Sequence, residues 1–74
     1  IKLFKNGQSV ILDNGSTNML IAKHLPPELG ATVFTNSIPI AQILSEHPSV
    51  EVILLGGRVF KRAQVAVGAA VVSA

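Results

Sequence analysis

Short apolar, β-branched runs recur along this chain at residues 9–12, 31–35 and 50–55, and each ends in small or polar residues. Single stretches with helical spacing, at 16–25 and 38–47, separate them. This alternation restricts the fold more than any other feature. Strands joined by one helix each pair in parallel through right-handed crossovers. Strands that are apolar throughout, rather than at every second residue, suit a parallel sheet covered on both faces. The expected core is therefore an α/β unit, a βαβαβ parallel sheet.

The helical stretches carry their own punctuation. In 16–25, Met19, Leu20, Ala22 and Leu25 line a buried stripe, with Ile21 widening it and Lys23 and His24 lying off it. Pro26-Pro27 ends that helix. In 38–47, Ser37 is the N-cap and Pro39 fits the first turn. Ile40, Ile43, Leu44 and, on the margin, Ala41 face inward, Gln42, Ser45, Glu46 and His47 face water, and Pro48 stops the helix. Residues 1–4 read as the tail of a helix that Lys5-Asn6-Gly7 terminates. Beyond Gly56-Gly57 the pattern weakens. Val65 and Val67 alternate with polar or small residues, so 58–68 reads as a fourth extended stretch and 69–74 as the start of a third helix. Three short parallel strands with two helices bury too little to stand alone. Further sheet partners are expected, from more chain or another subunit, and a start at Ile1 and an end at Ala74 fit a partial domain.

Composition excludes several classes. The 74 residues allow one domain at most, and 49% apolar against 14% charged is too apolar for disorder. Cysteine is absent, which removes disulfides and thiolate metal sites and fits a reducing, cytoplasmic setting. No apolar run is long enough for a membrane span. The formal charge is +2, only Arg58, Lys61 and Arg62 cluster, and Trp and Tyr are absent, so this segment itself is not expected to contact nucleic acid. His24 and His47 sit near helix ends as surface groups or dipole partners, and with no third ligand beside them no metal site is expected.

In open parallel sheets ligands sit outside the carboxyl ends of the strands. Here those ends carry Asp13, Asn14, Gly15, Ser16 and Thr17, then Thr35, Asn36 and Ser37, then Gly56, Gly57 and Arg58. Parallel geometry brings the three clusters to one rim. In the first, a strand turning through Gly15 into a helix begun by Ser16 and Thr17 presents unpaired amides and the positive end of the helix dipole, which suit a phosphate. Two plainer readings stand beside it: a βα turn capped by Ser16, and an Asn-Gly hairpin, which the helical spacing of 19–25 opposes. Asp13 would repel a phosphate. It is read as accepting backbone N–H bonds that shape the loop, or as taking a sugar hydroxyl, with a plain turn-forming Asp as the alternative. Asn36 and Ser37 could bond ligand hydroxyls or cap the second helix. Gly57 permits close approach, and Arg58 could bind phosphate bidentately or be a solvated surface residue. Asn14-Gly15-Ser16 also matches a glycosylation sequon, which an intracellular chain would leave unused.

Five segments in order carry a family resemblance. They are Ile11-Leu12-Asp13-Asn14-Gly15-Ser16-Thr17, Ala22-Lys23-His24-Leu25-Pro26, Val33-Phe34-Thr35-Asn36-Ser37, Ile53-Leu54-Leu55-Gly56-Gly57-Arg58 and Val67-Gly68. Together they resemble the C-terminal effector domain of the DeoR family of bacterial transcriptional regulators, over nearly the whole chain from Asn6 onward. The resemblance implies a Rossmann-like fold similar to ribose-5-phosphate isomerase, glucosamine-6-phosphate deaminase and coenzyme A transferases. It implies a sensor of a phosphorylated sugar or related metabolite, with no catalytic residues and no cofactor, working in a homo-oligomer. Operator DNA would be bound by an N-terminal winged helix-turn-helix absent from these residues, and residues 1–74 would be the N-terminal half of the effector domain. Ser or Thr often stands in the family where this chain has Asn14 and Asn18. A sugar-phosphate isomerase or deaminase of similar fold is the alternative, and it would need a general base for which Asp13 is the rim's only acidic candidate.

Overall fold

The structure is a computed structural model that describes residues 6–66 and 70–72. Strands β1 (Ser9–Leu12), β2 (Thr32–Thr35), β3 (Glu51–Leu54) and β4 (Ala70–Val72) alternate with helices α1 (Ser16–Lys23), α2 (Ile38–Ser45) and α3 (Gly57–Ala66). The strands form one parallel sheet in the order β3-β2-β1-β4. The βαβαβ core is as expected, but the last segment reverses the expectation. Residues 57–66 are a helix rather than an extended stretch, and 70–72 are a strand rather than the start of a helix.

The physical reasons lie in spacing and burial. Phe60 N donates to Gly56 O at 2.7 Å, which opens α3. Phe60 is buried, while Arg58, Lys61 and Arg62 are exposed, a 3.6-residue pattern. Val65, which suggested alternation, is 87% exposed and is no core position. Ala70, Val71 and Val72 pair with Val10, Ile11 and Leu12. β-branched residues favour strands, and pairing with β1 decides the conformation of 70–72. A fourth strand, within this chain, thus lies beside β1, in addition to the three strands that were expected. The expected helix tail at 1–4 and the Val67-Gly68 segment lie outside the described residues.

Val10, Ile11 and Leu12 of β1 are fully buried, as a strand covered on both faces requires. Val10, Leu12 and Val33 pack with Ala22 and Leu25 of the first helical segment and Ile40 and Leu44 of α2, and Met19, Ile21, Ile43 and Val52 pack against that cluster. Ile11 points to the opposite face by the two-residue period. The β3-to-β4 connection reverses direction across the sheet, and a right-handed crossover puts α3 on that opposite face.

Several edges differ from expectation for local reasons. α1 ends at Lys23 because Leu25 precedes Pro26 and is disfavoured in the helical region. α2 ends at Ser45, with Glu46 as C-cap and His47 before Pro48. Leu20, expected on the inward stripe, is 56% exposed, and the stripe is instead completed by buried Asn18. The turn before β1 closes on Gly7, whose φ of 77° is the left-handed conformation a glycine favours. Gly7 N donates to Gly30 O, and Gly30 N donates to Asn6 Oδ1 at 2.9 Å, which ties the start of β1 to the start of β2.

Candidate functional site at the carboxyl rim

Leu12 lies opposite Thr35, and Thr35 opposite Leu54, so three strands end at one level. Leu55 N continues that level with a bond to Thr35 O at 2.8 Å. Neighbouring strands are about 4.8 Å apart. Asp13 and Asn36 therefore leave adjacent strands side by side, and the turn at Gly56-Gly57 stands about 10 Å from the β1 end, two strand spacings away. The sheet order also makes β1 a switch point, because the chain leaves it towards β2 on one side and β4 returns on the other. Such switch points are where crevices form in open α/β sheets. The sequence alone does not reveal this, because 69–74 reads there as the start of a helix.

The first loop is shaped from within. Asp13 Oδ1 accepts the Asn14 N–H at 2.8 Å, so the carboxylate organises the turn. Asn18 is fully buried in the first turn of α1, and its Nδ2 donates to Asp13 O at 2.8 Å. Gly15 is nearly fully extended, with φ 157° and ψ 152°, and no side chain caps α1. Its O accepts from Met19 N at 3.0 Å, the first helical bond. Ser16 and Thr17 are exposed at the helix start, so their hydroxyls and amides face outward with the positive end of α1. The plain reading with Ser16 as cap does not describe this turn, because Gly15 holds the N-cap position.

The second cluster divides. Thr35 and Ser37 are buried. Thr35 Oγ1 accepts Ser37 N at 3.1 Å, and Ser37 Oγ accepts Ile40 N at 3.3 Å as the side-chain cap of α2. Asn36 between them is exposed. In the third cluster Gly57 and Arg58 begin α3 and are exposed, and a Cβ on Gly56 or Gly57 would meet nothing within 4 Å. The groups presented at the rim are thus those of Asn14, Ser16, Thr17, Asn36, Gly57 and Arg58, with Asp13, Asn18, Thr35 and Ser37 bracing them.

The opposite end of the molecule has a different character. A cleft of about 220 Å³ opens there between the ends of α1 and α2, lined by residues including Ala22, Lys23, Leu25, Ile43, Glu46 and His47. It mixes cation and anion, and its imidazole is already engaged. His47 was expected to face water, yet it is half-buried. Its Nε2 donates to Pro26 O at 2.7 Å, and its Nδ1 accepts Ser49 N and Val50 N at 3.0 and 2.9 Å. His24 Nδ1 donates to Leu20 O at 2.8 Å near the α1 C-terminus. Among the described residues no group of three His, Cys, Asp or Glu side chains could hold a metal ion, and no helix is long and apolar enough to cross a membrane.

Residues 1–74 match the DeoR C terminal sensor domain. The HTH-type transcriptional repressor GlcR of Bacillus subtilis (strain 168) is 40% identical over 70 residues, 95% of this chain and 27% of the relative. The HTH-type transcriptional regulator GolR of Listeria innocua is 42% identical over 55 residues, 74% of this chain and 22% of the relative. A putative aga operon transcriptional repressor of Escherichia coli O157:H7 is 31% identical over 64 residues, 86% of this chain and 24% of the relative. The chain thus spans about a quarter of the length of these curated relatives. No solved structure matches it. With the family matched from end to end and regulators as its relatives, the chain belongs to the DeoR C-terminal sensor domains, a family of regulatory rather than catalytic units.

Proposed function

We propose that the carboxyl rim binds the phosphate end of a phosphorylated sugar or related metabolite, and that this binding modulates operator DNA binding by another part of the same protein. The observation that carries the reading is the common level of three strand ends, which gathers the uncapped start of α1, Asn36 and Arg58 along one edge. The phosphate would take the Ser16 and Thr17 amides and hydroxyls, with Arg58 closing from the far side. Asn14 and Asn36 would take sugar hydroxyls. Asp13 would keep its place as loop organiser, its Oδ1 already bonded. Gly15 and Gly57 would let backbone approach the ligand, and Thr35 and Ser37 would fix the direction of Asn36.

The sheet order β3-β2-β1-β4 supports a Rossmann-like relationship to ribose-5-phosphate isomerase and coenzyme A transferases. The whole protein is read as a cytoplasmic homo-oligomer with a helix-turn-helix outside this segment, and the HTH-type regulators among its relatives support the last of these. Regulation would follow from a ligand that binds one arrangement of domains or subunits better than another. Fluorescence anisotropy of operator DNA with the full-length protein, titrated with a panel of sugar phosphates, tests the reading. A shift in operator affinity with a phosphorylated sugar, absent with the same sugar unphosphorylated, is expected. No response to any phosphorylated metabolite would refute it.

A further inference from the structure

Among the described residues, β3 pairs on only one side of its backbone. Glu51 N donates to Ala31 O at 2.9 Å and Leu55 N to Thr35 O at 2.8 Å. Residues 51, 53 and 55 therefore turn their N–H and C=O groups towards β2, and Val52 and Leu54 turn theirs to the open edge of the sheet. Edge strands are ordinarily blunted by Lys, Pro, a bulge or a covering element. β3 is short and opens with the charge of Glu51, but Val52, Ile53 and Leu54 that follow carry neither charge nor Pro. Leu54 is 51% exposed, and the elements on either side of β3 expose Ile38, the first residue of α2, and Val59, in the first turn of α3, to a similar degree.

We propose that β3 is a homotypic interface, in which two copies of this chain pair their β3 edges antiparallel about a two-fold axis at Ile53. In that register Val52 of each copy lies opposite Leu54 of the other, and their outward groups make four backbone hydrogen bonds. It is the register that uses every open N–H and C=O of both residues. Charge agrees with it. Antiparallel pairing carries exposed Glu51 towards the other copy's strand end, where α3 begins with the exposed cations Arg58, Lys61 and Arg62. The contact is isologous, so it closes at two copies and does not propagate. The homo-oligomer of the proposed function is thereby assigned to one edge, and the assignment holds whatever the rim binds.

The test uses the full-length protein with Ile53→Cys, any cysteines outside this segment being replaced by Ser. Residues opposite each other at a non-hydrogen-bonded antiparallel site have Cα atoms about 4.5 Å apart, within disulfide reach. Mild oxidation is expected to convert most of the protein to a reducible covalent dimer, whereas Glu51→Cys, which faces residue 55 of the other copy, gives little. Leu54→Pro removes an outward N–H without touching the β2 ladder, and sedimentation equilibrium should show self-association weakened at least tenfold with unchanged far-UV circular dichroism. No crosslink in a natively folded Ile53→Cys protein overturns the proposal. So does unchanged association in folded Leu54→Pro, or a Leu54 amide protected from exchange in a monomer, which would mean that the same chain covers the edge. Loss of effector response with the crosslink intact would count against the effector reading alone.

Discussion

The side-chain amide of Asn18 holds the carbonyl of Asp13 at 2.8 Å, from a fully buried position in the first turn of α1. This bond joins the end of β1 to the start of the helix that follows it. The loop between them, Asn14 and Gly15, is therefore anchored on both sides before any ligand arrives. An anion site made of backbone amides needs such bracing, because amides that wander lose the converging geometry that makes them useful.

Replacing Asn18 by Ala should remove that tether and leave buried space. A destabilisation of about 1–3 kcal/mol is expected, the usual cost when a buried hydrogen bond loses one partner. Urea denaturation of the full-length protein measures it. Hydrogen exchange at the Asn14 amide should rise along with it, whereas the amides of α2 should change only as far as global stability falls. Equal stability of Asn18→Ala and the parent would show that the bond contributes nothing.

Ser37 offers a second, independent handle. Its Oγ caps α2 through Ile40 N, and its own amide is held by Thr35 Oγ1. Ser37→Ala should cost about 1 kcal/mol, and Ser37→Asp should recover much of it, since Asp caps equally well and favours the helix dipole. Thermal denaturation of the two variants side by side decides the matter. A cap without energetic value would leave both variants at the parental midpoint.

The core divides cleanly between residues that the periodicity placed correctly and one that it did not. Leu12 and Ile40 have no exposed surface, so Leu12→Ala or Ile40→Ala should cost about 2–5 kcal/mol. Leu20 sits on the same helix as buried Ala22, yet it is 56% exposed, and Leu20→Ala should change stability by no more than about 0.5 kcal/mol. Denaturant midpoints of the three variants test the inward face of α1. A large loss in Leu20→Ala would mean that the exposed face of α1 is covered in the whole protein.

That division also tells how far the sequence could be read. The first five elements were legible because β-branched runs, Pro stops and a Ser cap all agreed on the same alternation. Residues 57–66 and 70–72 were not, because Val65 and Val67 mimic strand alternation in the sequence while the helix that holds Val65 depends on Phe60 finding a buried site. β4 is set by pairing with β1, a contact some 60 residues away that no local pattern records. The rim followed from parallel topology alone. The division of labour within it did not, since the sequence lets both Asn36 and Ser37 meet a ligand, whereas Ser37 is the buried cap of α2 and its neighbour Asn36 is exposed. Asn18 was hidden for a related reason: a polar residue in an apolar stripe looks like surface until the carbonyl it serves is seen.

His47 should act as a structural latch. Its ring connects the carbonyl of Pro26, in the loop after α1, to the amides of Ser49 and Val50, which lead into β3. His47→Ala leaves those groups without their partner, and a loss of about 1–3 kcal/mol is expected. His47→Gln can replace at most part of the set and should fall between. Exchange of the Val50 amide is the specific readout, because its protection should drop further than that of the neighbouring core. An unchanged Val50 amide in His47→Ala would remove the latch.

Arg58 separates ligand binding from folding. It is exposed at the start of α3, so Arg58→Ala should leave stability within about 0.5 kcal/mol of the parent. If Arg58 meets the phosphate, its charge-assisted bonds are worth about 1.5–3 kcal/mol, and the sugar-phosphate concentration that shifts operator binding should rise roughly ten- to hundredfold. Arg58→Lys should recover only part, because a lysine supplies charge without the planar two-pronged geometry. Lys61→Ala, one turn further along the same helix, is the control for a general loss of positive charge and should move the response far less. Equal effects of Arg58→Ala and Lys61→Ala would mean that the helix attracts anions only diffusely, and that the phosphate lies elsewhere on the rim.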